Sequence, residues 1–221
     1  MPERILDVLV LLPSPTMETL YMTMVSTFLS CLMGFPLGAY LFNTSPGGLS
    51  PRSMVYNILS RIVNILRSLP FIILMILLIP LSRFIVRTSI GPTAAIIPLS
   101  IAAAPFVARI AESALAEVDS GVITAARAMG SSNFQIIRKV LIPEAMPALV
   151  SGLALTIISL IGYSAMAGAI GGGGLGSLAI NYGYYRFRME VTFGAVIVIL
   201  IIVELIQFAG SALSRYLLSK R

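Results

Sequence analysis

The stretch that decides the fold runs from Glu117 to Leu149 and reads EVDSGVITAARAMGSSNFQIIRKVLIPEAMPAL. It is long, mixed in polarity and helix-forming, whereas most of the sequence around it is as apolar as a membrane span. Asp119 is a good cap for a first short helix that ends near Met129, and Gly130 is a natural residue for the turn that stops it. Because the stretch is too polar to cross a bilayer, we expect it to lie outside the hydrocarbon.

A second short helix is predicted to begin after Ser132, because Ser132 and Gln135 have the Ser-x-x-Gln spacing of a capping box. Its apolar residues recur at helical spacing with two flanking aliphatics, and they are Phe134, Ile136, Ile137, Val140 and Leu141. Arg138 and Lys139 lie on the other side, and Pro143 suits the first turn of a further helix. Two helices joined at a glycine between two apolar segments form an element that is shaped to dock onto a partner.

The composition is that of an integral membrane protein. Of the 221 residues, 57% are hydrophobic and only 11% are charged, and the mean hydropathy is +0.97. A soluble domain would carry about 25% charged residues. The chain has no histidine and one cysteine, which excludes a disulfide framework and histidine-based metal or acid–base chemistry. The net charge of +6 is more typical of membrane topology than of nucleic-acid binding.

Apolar runs of the length that a helix needs to cross a bilayer, about 20 residues, recur along the chain. The predicted spans are residues 17–42, 55–80, 90–115, 145–169 and 191–213, with a polar loop at 117–144. We therefore expect an all-α, polytopic membrane protein that forms a single domain over residues 1–221.

Several residues predict local features of these spans. Gly34-x-x-x-Gly38 favours a close approach of two helices, and Cys31 is interpreted as a small buried apolar residue. Pro70 and Pro80 are expected to bend or end the second span.

The segments that flank the spans also carry predictions. Residues 82–88 are predicted to be a connecting loop, and residues 1–15 an interfacial segment that ends at Pro13 and Pro15 rather than a signal peptide. An odd number of spans places the two termini on opposite sides. Ten of the Lys and Arg residues fall on the side of the 117–144 loop and the C-terminus, and five on the other side. Positive charge marks the cytoplasmic side, so we expect the N-terminus outside and the C-terminus in the cytoplasm.

Two nucleotide-binding motifs can be excluded. Gly171, Gly173 and Gly176 match the dinucleotide fingerprint, but they follow a predicted membrane helix instead of a strand, so they indicate close packing. The phosphate-binding pattern Gly-x-x-x-x-Gly-Lys-[Ser/Thr] does not occur in the sequence. If this chain takes part in ATP-driven transport, a separate chain must therefore supply the ATPase.

The central stretch resembles the cytoplasmic "EAA" loop of bacterial ABC-importer permeases. The family pattern is Glu-Ala-Ala, three residues, Gly, nine residues and then Ile-x-Leu-Pro. This chain matches that spacing with Thr124-Ala125-Ala126, Gly130 and Val140-Leu141-Ile142-Pro143. It departs from the pattern at Thr124, which stands where the family usually has a glutamate, and in the order of the last aliphatic residues.

Over nearly its full length, the chain resembles the permeases of methionine ABC importers. The matching stretches are RSLPFIIL at 67–74, AAPFVARIAESAL at 103–115, RKVLIPEAMPALV at 138–150 and GYSAMAGAIGGGGLG at 162–176. The resemblance implies a non-catalytic permease in the bacterial cytoplasmic (inner) membrane that forms a homodimer. It also implies two copies of an ABC ATPase subunit that bind ATP and Mg, no cofactor in this chain, and a methionine-binding protein or lipoprotein that delivers the substrate.

The same resemblance implies which residues couple the permease to the ATPase: Thr124, Ala125, Ala126, Gly130, Phe134, Ile137, Arg138, Lys139 and Pro143. In this interpretation Phe134, Ile137 and Leu141 bury an apolar face, either against the ATPase or against the permease's own helix ends. Arg138 and Lys139 offer positive charge to acidic partner groups or lipid headgroups. The alternative is a solvated loop whose basic residues only set the topology.

A substrate path is predicted at Tyr163, Ser164 and Met166 in the fourth span, which is rich in small residues. An aromatic ring and a thioether are suited to contact a methionine side chain. Ordinary helix packing is the alternative interpretation of these three residues.

Glu204 is the one acidic residue well inside a predicted span, and such groups are candidates for function. As a proton site it would indicate a secondary transporter. Otherwise it faces the bundle interior or a vestibule, paired with a neighbour such as Arg67 or Arg109. A permease for another amino acid, a channel and a membrane scaffold also remain open at this point.

Overall fold

The computed structural model describes residues 2–220, and side chains from residue 7 onward. These residues are helical or form short connections, with no strand among them, so the all-α prediction is confirmed. The helices are α1 (Pro2–Leu11), α2 (Pro13–Thr44), α3 (Ser53–Ser68), α4 (Phe71–Val86), α5 (Pro92–Ala116), α6 (Ser120–Ala128), α7 (Asn133–Ile136), α8 (Ile142–Ala169), α9 (Gly174–Leu178) and α10 (Met189–Leu218). Two π-helical segments, Ile137–Leu141 and Ala179–Tyr184, continue α7 and α9.

Several helical stretches are long and apolar enough to cross a membrane. Within the described residues they are Asp7–Thr44, Pro92–Ala116, Asn133–Tyr184 and Met189–Leu218. The bent pair α3–α4 brings the number of candidate spans from 4 to 5 if the pair counts as one. The chain is thus a multi-pass membrane protein.

The predicted span at 55–80 is not one helix. It consists of α3 and α4, which meet at an angle of 103°. The break falls at Pro70, whose extended backbone (φ −58°, ψ 128°) immediately precedes α4. A proline disfavours helical geometry in the residue before it, so α3 has to end there. Each arm has 16 residues and is about 24 Å long at 1.5 Å per residue, which is shorter than the roughly 30 Å hydrocarbon core.

Other prolines have less effect than the sequence suggested. Pro80 lies inside α4, which continues to Val86 and closes at Arg87 in a left-handed conformation, so the prediction of a loop at 82–88 was wrong. The helix α1 ends at Leu11, close to the predicted end of the N-terminal segment, and Pro13 and Pro15 lie in the first turn of α2. Proline is tolerated at these positions because the first turn of a helix leaves its N–H groups unbonded in any case.

The chain forms two compact units, each with its own core. The first unit comprises the chain up to Leu29, Leu69–Ala103 and Ile157–Gln207. One of its clusters consists of Met22, Phe71, Met75, Ala95, Leu99, Ala103, Leu160 and Ala167. Another consists of Val8, Leu12, Leu175, Leu178, Val191 and Ala195.

The glycine-rich turn before α9 belongs to the first unit and is fixed by side chains of α2. Gly173 and Gly174 have positive φ angles of 79° and 76°. The Gly174 N–H donates to a Glu18 carboxylate oxygen at 2.7 Å, and the Leu175 N–H donates to the Thr19 hydroxyl at 2.9 Å. The glycines therefore serve a tight, packed turn rather than a phosphate-binding loop.

The second unit comprises Ser30–Ser68, Ala104–Thr156 and the chain from Phe208 onward. In it, α2 packs on α5 through Gly34 and Gly38. A Cβ atom added to Gly34 would overlap the carbonyl oxygen of Ala104, and one added to Gly38 would overlap that of Ala108. The predicted packing role of this motif is confirmed, because backbone atoms of α5 fill the space that any side chain would need.

We expect Gly38→Ala to lower the apparent melting temperature of the purified protein in detergent, because the new methyl group would push α5 away from α2. Gly162→Ala is the matched control, since no described residue outside its own helix turn lies within 4 Å of a Cβ atom placed there. Fluorescence-detected thermal unfolding of both variants measures the effect. Equal melting temperatures would contradict the packing role.

Candidate functional site

The loop between α5 and α8 begins with α6, which has the predicted caps at both ends. The Asp119 carboxylate accepts a hydrogen bond from the Gly121 N–H at 2.6 Å. After the helix, Gly130 has a φ of +80°. The Gly130 N–H donates to the Arg127 carbonyl oxygen at 2.9 Å, and the Ser131 N–H donates to the Ala126 carbonyl oxygen at 3.1 Å. This pair of bonds is a Schellman motif, which is easiest to form with glycine at the left-handed position. The predicted glycine stop is confirmed.

The second helix of the loop starts at the predicted capping box. The Gln135 N–H donates to the Ser132 hydroxyl at 3.4 Å, and the Ser132 N–H donates to the Gln135 side-chain oxygen at 2.8 Å. The helix α7 then passes into the π-helical segment Ile137–Leu141, and that segment passes directly into α8. Pro143 therefore does not begin a separate helix. The loop is joined to a membrane-spanning helix without a break.

The buried face of this helical run agrees only in part with the apolar stripe that the sequence indicated. Ile136 and Leu141 are fully buried, whereas Phe134 is 69% exposed and Ile137 is half-buried. The prediction assumed α-helical spacing from Phe134. The π-helical turn widens the spacing, so residues five apart, such as Ile136 and Leu141, face the same side.

The two loop helices pack on the second unit's own core. Ile136 and Leu141 join one cluster with Phe42, Leu49, Ala114, Leu115, Ala126 and Ala145. The Arg127 guanidinium donates to the Leu49 carbonyl oxygen at 2.9 Å. Among the predicted coupling residues, Ala126 is thus part of the core. Arg127 was not among the predicted residues, and its hydrogen bond to Leu49 also holds the loop on the core.

The remaining predicted coupling residues are on the surface of the loop. Exposed residues comprise Thr124, Ala125, Gly130, Phe134, Arg138, Lys139 and Pro143. The exposed Met129, at 80%, lies beside Gly130 and is a further apolar residue that the sequence analysis did not select. Thr124 uses its hydroxyl to donate to the Ser120 carbonyl at 2.9 Å within α6. We call Met129, Phe134, Arg138 and Lys139 the loop surface.

The predicted path residues have ordinary packing partners within the first unit. The Tyr163 ring stacks on Phe71 with the ring centroids 4.7 Å apart and the planes 8° from parallel. Ser164 is 2% exposed and donates to the Ile161 carbonyl at 2.8 Å. Met166 is 49% exposed. A path along these residues stays a prediction.

Arg109 joins α3 to α5 instead of pairing with Glu204. Its guanidinium contacts Glu112 at 2.6 Å, and it donates to the Ser60 carbonyl and to the Asn64 side chain, each at 3.0 Å. Its Nε atom is buried and has no hydrogen-bond partner among the described residues. Glu204 is exposed on α10.

Cavities lie among the described residues of the second unit. The first, which we call the inner cavity, has a volume of about 490 Å³, and its polar lining consists of Arg67, Arg109, Ser113, Glu117 and Ser151. A second, acidic cavity of about 480 Å³ shares Glu117 and Ser151 with it and also includes Asp119 and Glu144. An apolar cavity of about 240 Å³ is lined by side chains that include Phe35, Val107, Met146 and the half-buried Cys31. The sequence shows that charged residues such as Arg67, Arg109 and Glu117 lie near the ends of the spans, but it does not show that they line the inner cavity together.

A comparison with known protein families identifies one match that covers most of the chain. Residues 34–221 match the family described as "Binding-protein-dependent transport system inner membrane component".

Individual relatives match over nearly the whole length. The chain is 49% identical over 200 residues to the "Probable D-methionine transport system permease protein MetI" of Haemophilus influenzae, covering 90% of this chain and 94% of the relative. It is 50% identical over 199 residues to the "Methionine import system permease protein MetP" of Bacillus subtilis, covering 90% of each chain. Among solved structures, a chain of the "MetNI methionine ABC transporter" in an inward-facing conformation superposes with a TM-score of 0.93 at 48% identity, covering 96% of this chain and 98% of that one.

We expect Ile136→Ala to destabilise the protein by about 2–5 kcal/mol, because it leaves a cavity in the core under the loop. Phe134→Ala should change the stability by less than about 0.5 kcal/mol, because its side chain is exposed. Denaturant or thermal unfolding of the two purified variants distinguishes these positions. Equal destabilisation by both changes would contradict the burial of Ile136 and the exposure of Phe134.

Proposed function

Because the chain belongs to the family of inner membrane components of binding-protein-dependent transport systems, we propose that it is the permease subunit through which an ATP-driven importer carries methionine. The observation that carries this proposal is the loop of α6 and α7, which is anchored on the core and leaves Phe134, Arg138 and Lys139 exposed. The full-length similarity to methionine permeases supports the choice of substrate. A permease for another amino acid is the nearest alternative.

In the proposed assembly, two copies of the chain associate with two ABC ATPase subunits, which bind ATP and Mg. The loop surface contacts the ATPase: Phe134 and Met129 supply exposed apolar area, while Arg138 and Lys139 meet acidic groups. Ile136 and Leu141 anchor the loop to the permease itself. The predicted coupling residues Thr124, Ala125, Gly130, Ile137 and Pro143 belong to the same element and shape or border that contact.

The proposed orientation places the loop and the C-terminus in the cytoplasm and the N-terminus outside. The excess of Lys and Arg on the loop side, ten against five, supports it. A methionine-binding protein or lipoprotein would then deliver the substrate at the opposite face. Tyr163, Ser164 and Met166 are proposed to line part of the path through the membrane.

Uptake of labelled methionine into vesicles that contain this chain, the ATPase subunit and the binding protein tests the proposal. We expect uptake to require internal ATP and to fall about tenfold or more in Arg138→Glu, because reversing a charge at an interface costs roughly 1.4 kcal/mol or more. Arg52→Glu is the control, since Arg52 is exposed outside the loop helices.

The same vesicles test the alternative of a proton-coupled transporter. Uptake that ignores ATP, follows a proton gradient and disappears in Glu204→Gln would overturn the proposed function. ATP hydrolysis stimulated by the binding protein, without methionine uptake, would instead show that the importer carries another substrate.

We further expect Gly130→Ala to reduce the methionine taken up per ATP hydrolysed. A left-handed conformation costs a residue with a Cβ atom about 1–2 kcal/mol, so the angle between α6 and α7 is strained. Gly47→Ala is the control, because no described atom lies within 4 Å of a Cβ atom there and its φ is not in the left-handed region. An unchanged ratio of uptake to hydrolysis in Gly130→Ala would contradict a role for this turn in coupling.

A further inference from the structure

We propose that the inner cavity is a binding subsite for the zwitterionic head group of the transported amino acid, with Arg67 binding its carboxylate and Glu117 its ammonium group. This inference rests on the proposed function, and it adds a location and a chemistry for the substrate that the similarities to other proteins do not give.

Arg67 is the cationic group available in the inner cavity. Its guanidinium lies over the Phe106 ring at 5.9 Å from the centroid, and no carboxylate or carbonyl among the described residues pairs with it. A planar guanidinium presents two parallel N–H groups that match a carboxylate, so a free amino-acid carboxylate is a well-suited partner.

Arg109 holds this arrangement in place. Ser60, Asn64 and Arg67 are spaced at i, i+4 and i+7, so they lie on the same face of α3. Because Arg109 binds the first two of them and is neutralised by Glu112, it fixes this face of α3 against α5. Arg109 is therefore a positioning residue, and Arg67 remains free to contact a ligand.

The other polar groups of the inner cavity complement the rest of a zwitterion. The Glu117 carboxylate has no ion pair with a described residue, and the Ser113 and Ser151 hydroxyls bond to no described group. An anionic lipid headgroup, the main competing ligand for a free arginine, would be repelled by Glu117. It would also be repelled by the acidic cavity next to it, which contains Asp119 and Glu144.

An apolar cavity lies beside the inner cavity. The apolar cavity shares Ile110 and Gly152 as lining residues with the inner cavity. A Cβ atom on Gly152 would overlap the Ile110 side chain, so glycine allows α5 and α8 to approach closely at this wall. The two cavities therefore share a packed wall, and the proposed subsite is assigned to the charged head group alone.

The test measures binding of labelled methionine to the complete permease–ATPase complex in nanodiscs, without binding protein and without ATP. We expect Arg67→Gln to raise the Kd about tenfold or more, because it removes a charge-assisted pair. Arg61→Gln, on the same helix but outside the cavity lining, should leave the Kd unchanged. Glu117→Gln should weaken methionine binding as well.

Ligand analogues make the assignment specific, and their binding to the wild-type complex does not depend on how well a variant folds. Methioninol lacks the carboxylate, and 4-methylthiobutyrate lacks the ammonium group. The wild-type complex should bind both less tightly than methionine. Arg67→Gln should remove the preference for methionine over methioninol, and Glu117→Gln the preference over 4-methylthiobutyrate, because each pair of changes deletes the same interaction.

The outcomes separate failure of this inference from failure of the proposed function. ATP-dependent methionine uptake by the wild-type vesicles, together with identical binding by Arg67→Gln and Arg61→Gln, would overturn the subsite and leave the proposed function standing. If Arg67→Gln changed only the amount of anionic lipid retained by the complex, the site would belong to a lipid headgroup. No uptake of methionine in the presence of ATP would overturn the proposed function.

Discussion

The burial of Ile136 and Leu141 is the interaction on which the arrangement of the functional loop depends. These two side chains are inserted among residues from the ends of α2, α5 and α8, including Phe42, Leu115 and Ala145. Without this contact α6 would have little to hold it, because a helix of 9 residues is not stable alone in water. Since the apolar interior of the loop is used for anchoring, its exposed apolar residues are left for a partner.

Two arginines of the second unit, Arg109 and Arg67, differ in how their charge is compensated. A guanidinium that is largely removed from water is costly unless it is paired, and the half-buried Arg109 is paired with Glu112 and with polar groups of α3. Arg67 lies on the same face of α3 but has only an aromatic ring as a described partner. Because Arg67 is exposed, it does not need such a partner, and the contrast separates a structural arginine from one that is accessible to a ligand.

Much of this fold was predictable from local patterns, and the failures have physical causes. The cap at Asp119, the capping box at Ser132 and the stop at Gly130 depend on bonds within a few residues, which the sequence displays directly. The exposure of Phe134 was not predictable, because it depends on a π-helical turn that has no reliable sequence pattern. The inner cavity was also out of reach, since it combines side chains of three helices that only tertiary packing brings together.

The π-helical segment also determines how the loop can move. Because α7, this segment and α8 form one uninterrupted helical run, no flexible connection separates Phe134 from the membrane-spanning part of α8. The helix α6 is attached differently, through the left-handed turn at Gly130 and the bond from Arg127 to Leu49. A force on Phe134, Arg138 or Lys139 would therefore be transmitted along α8 by the stiffness of a helix, whereas α6 could adjust its angle at the glycine. The turn between α6 and α7 has a glycine because Gly130 adopts a left-handed backbone conformation. No described atom lies within 4 Å of a Cβ atom placed there, so the loop requires the conformation of glycine and not its small size.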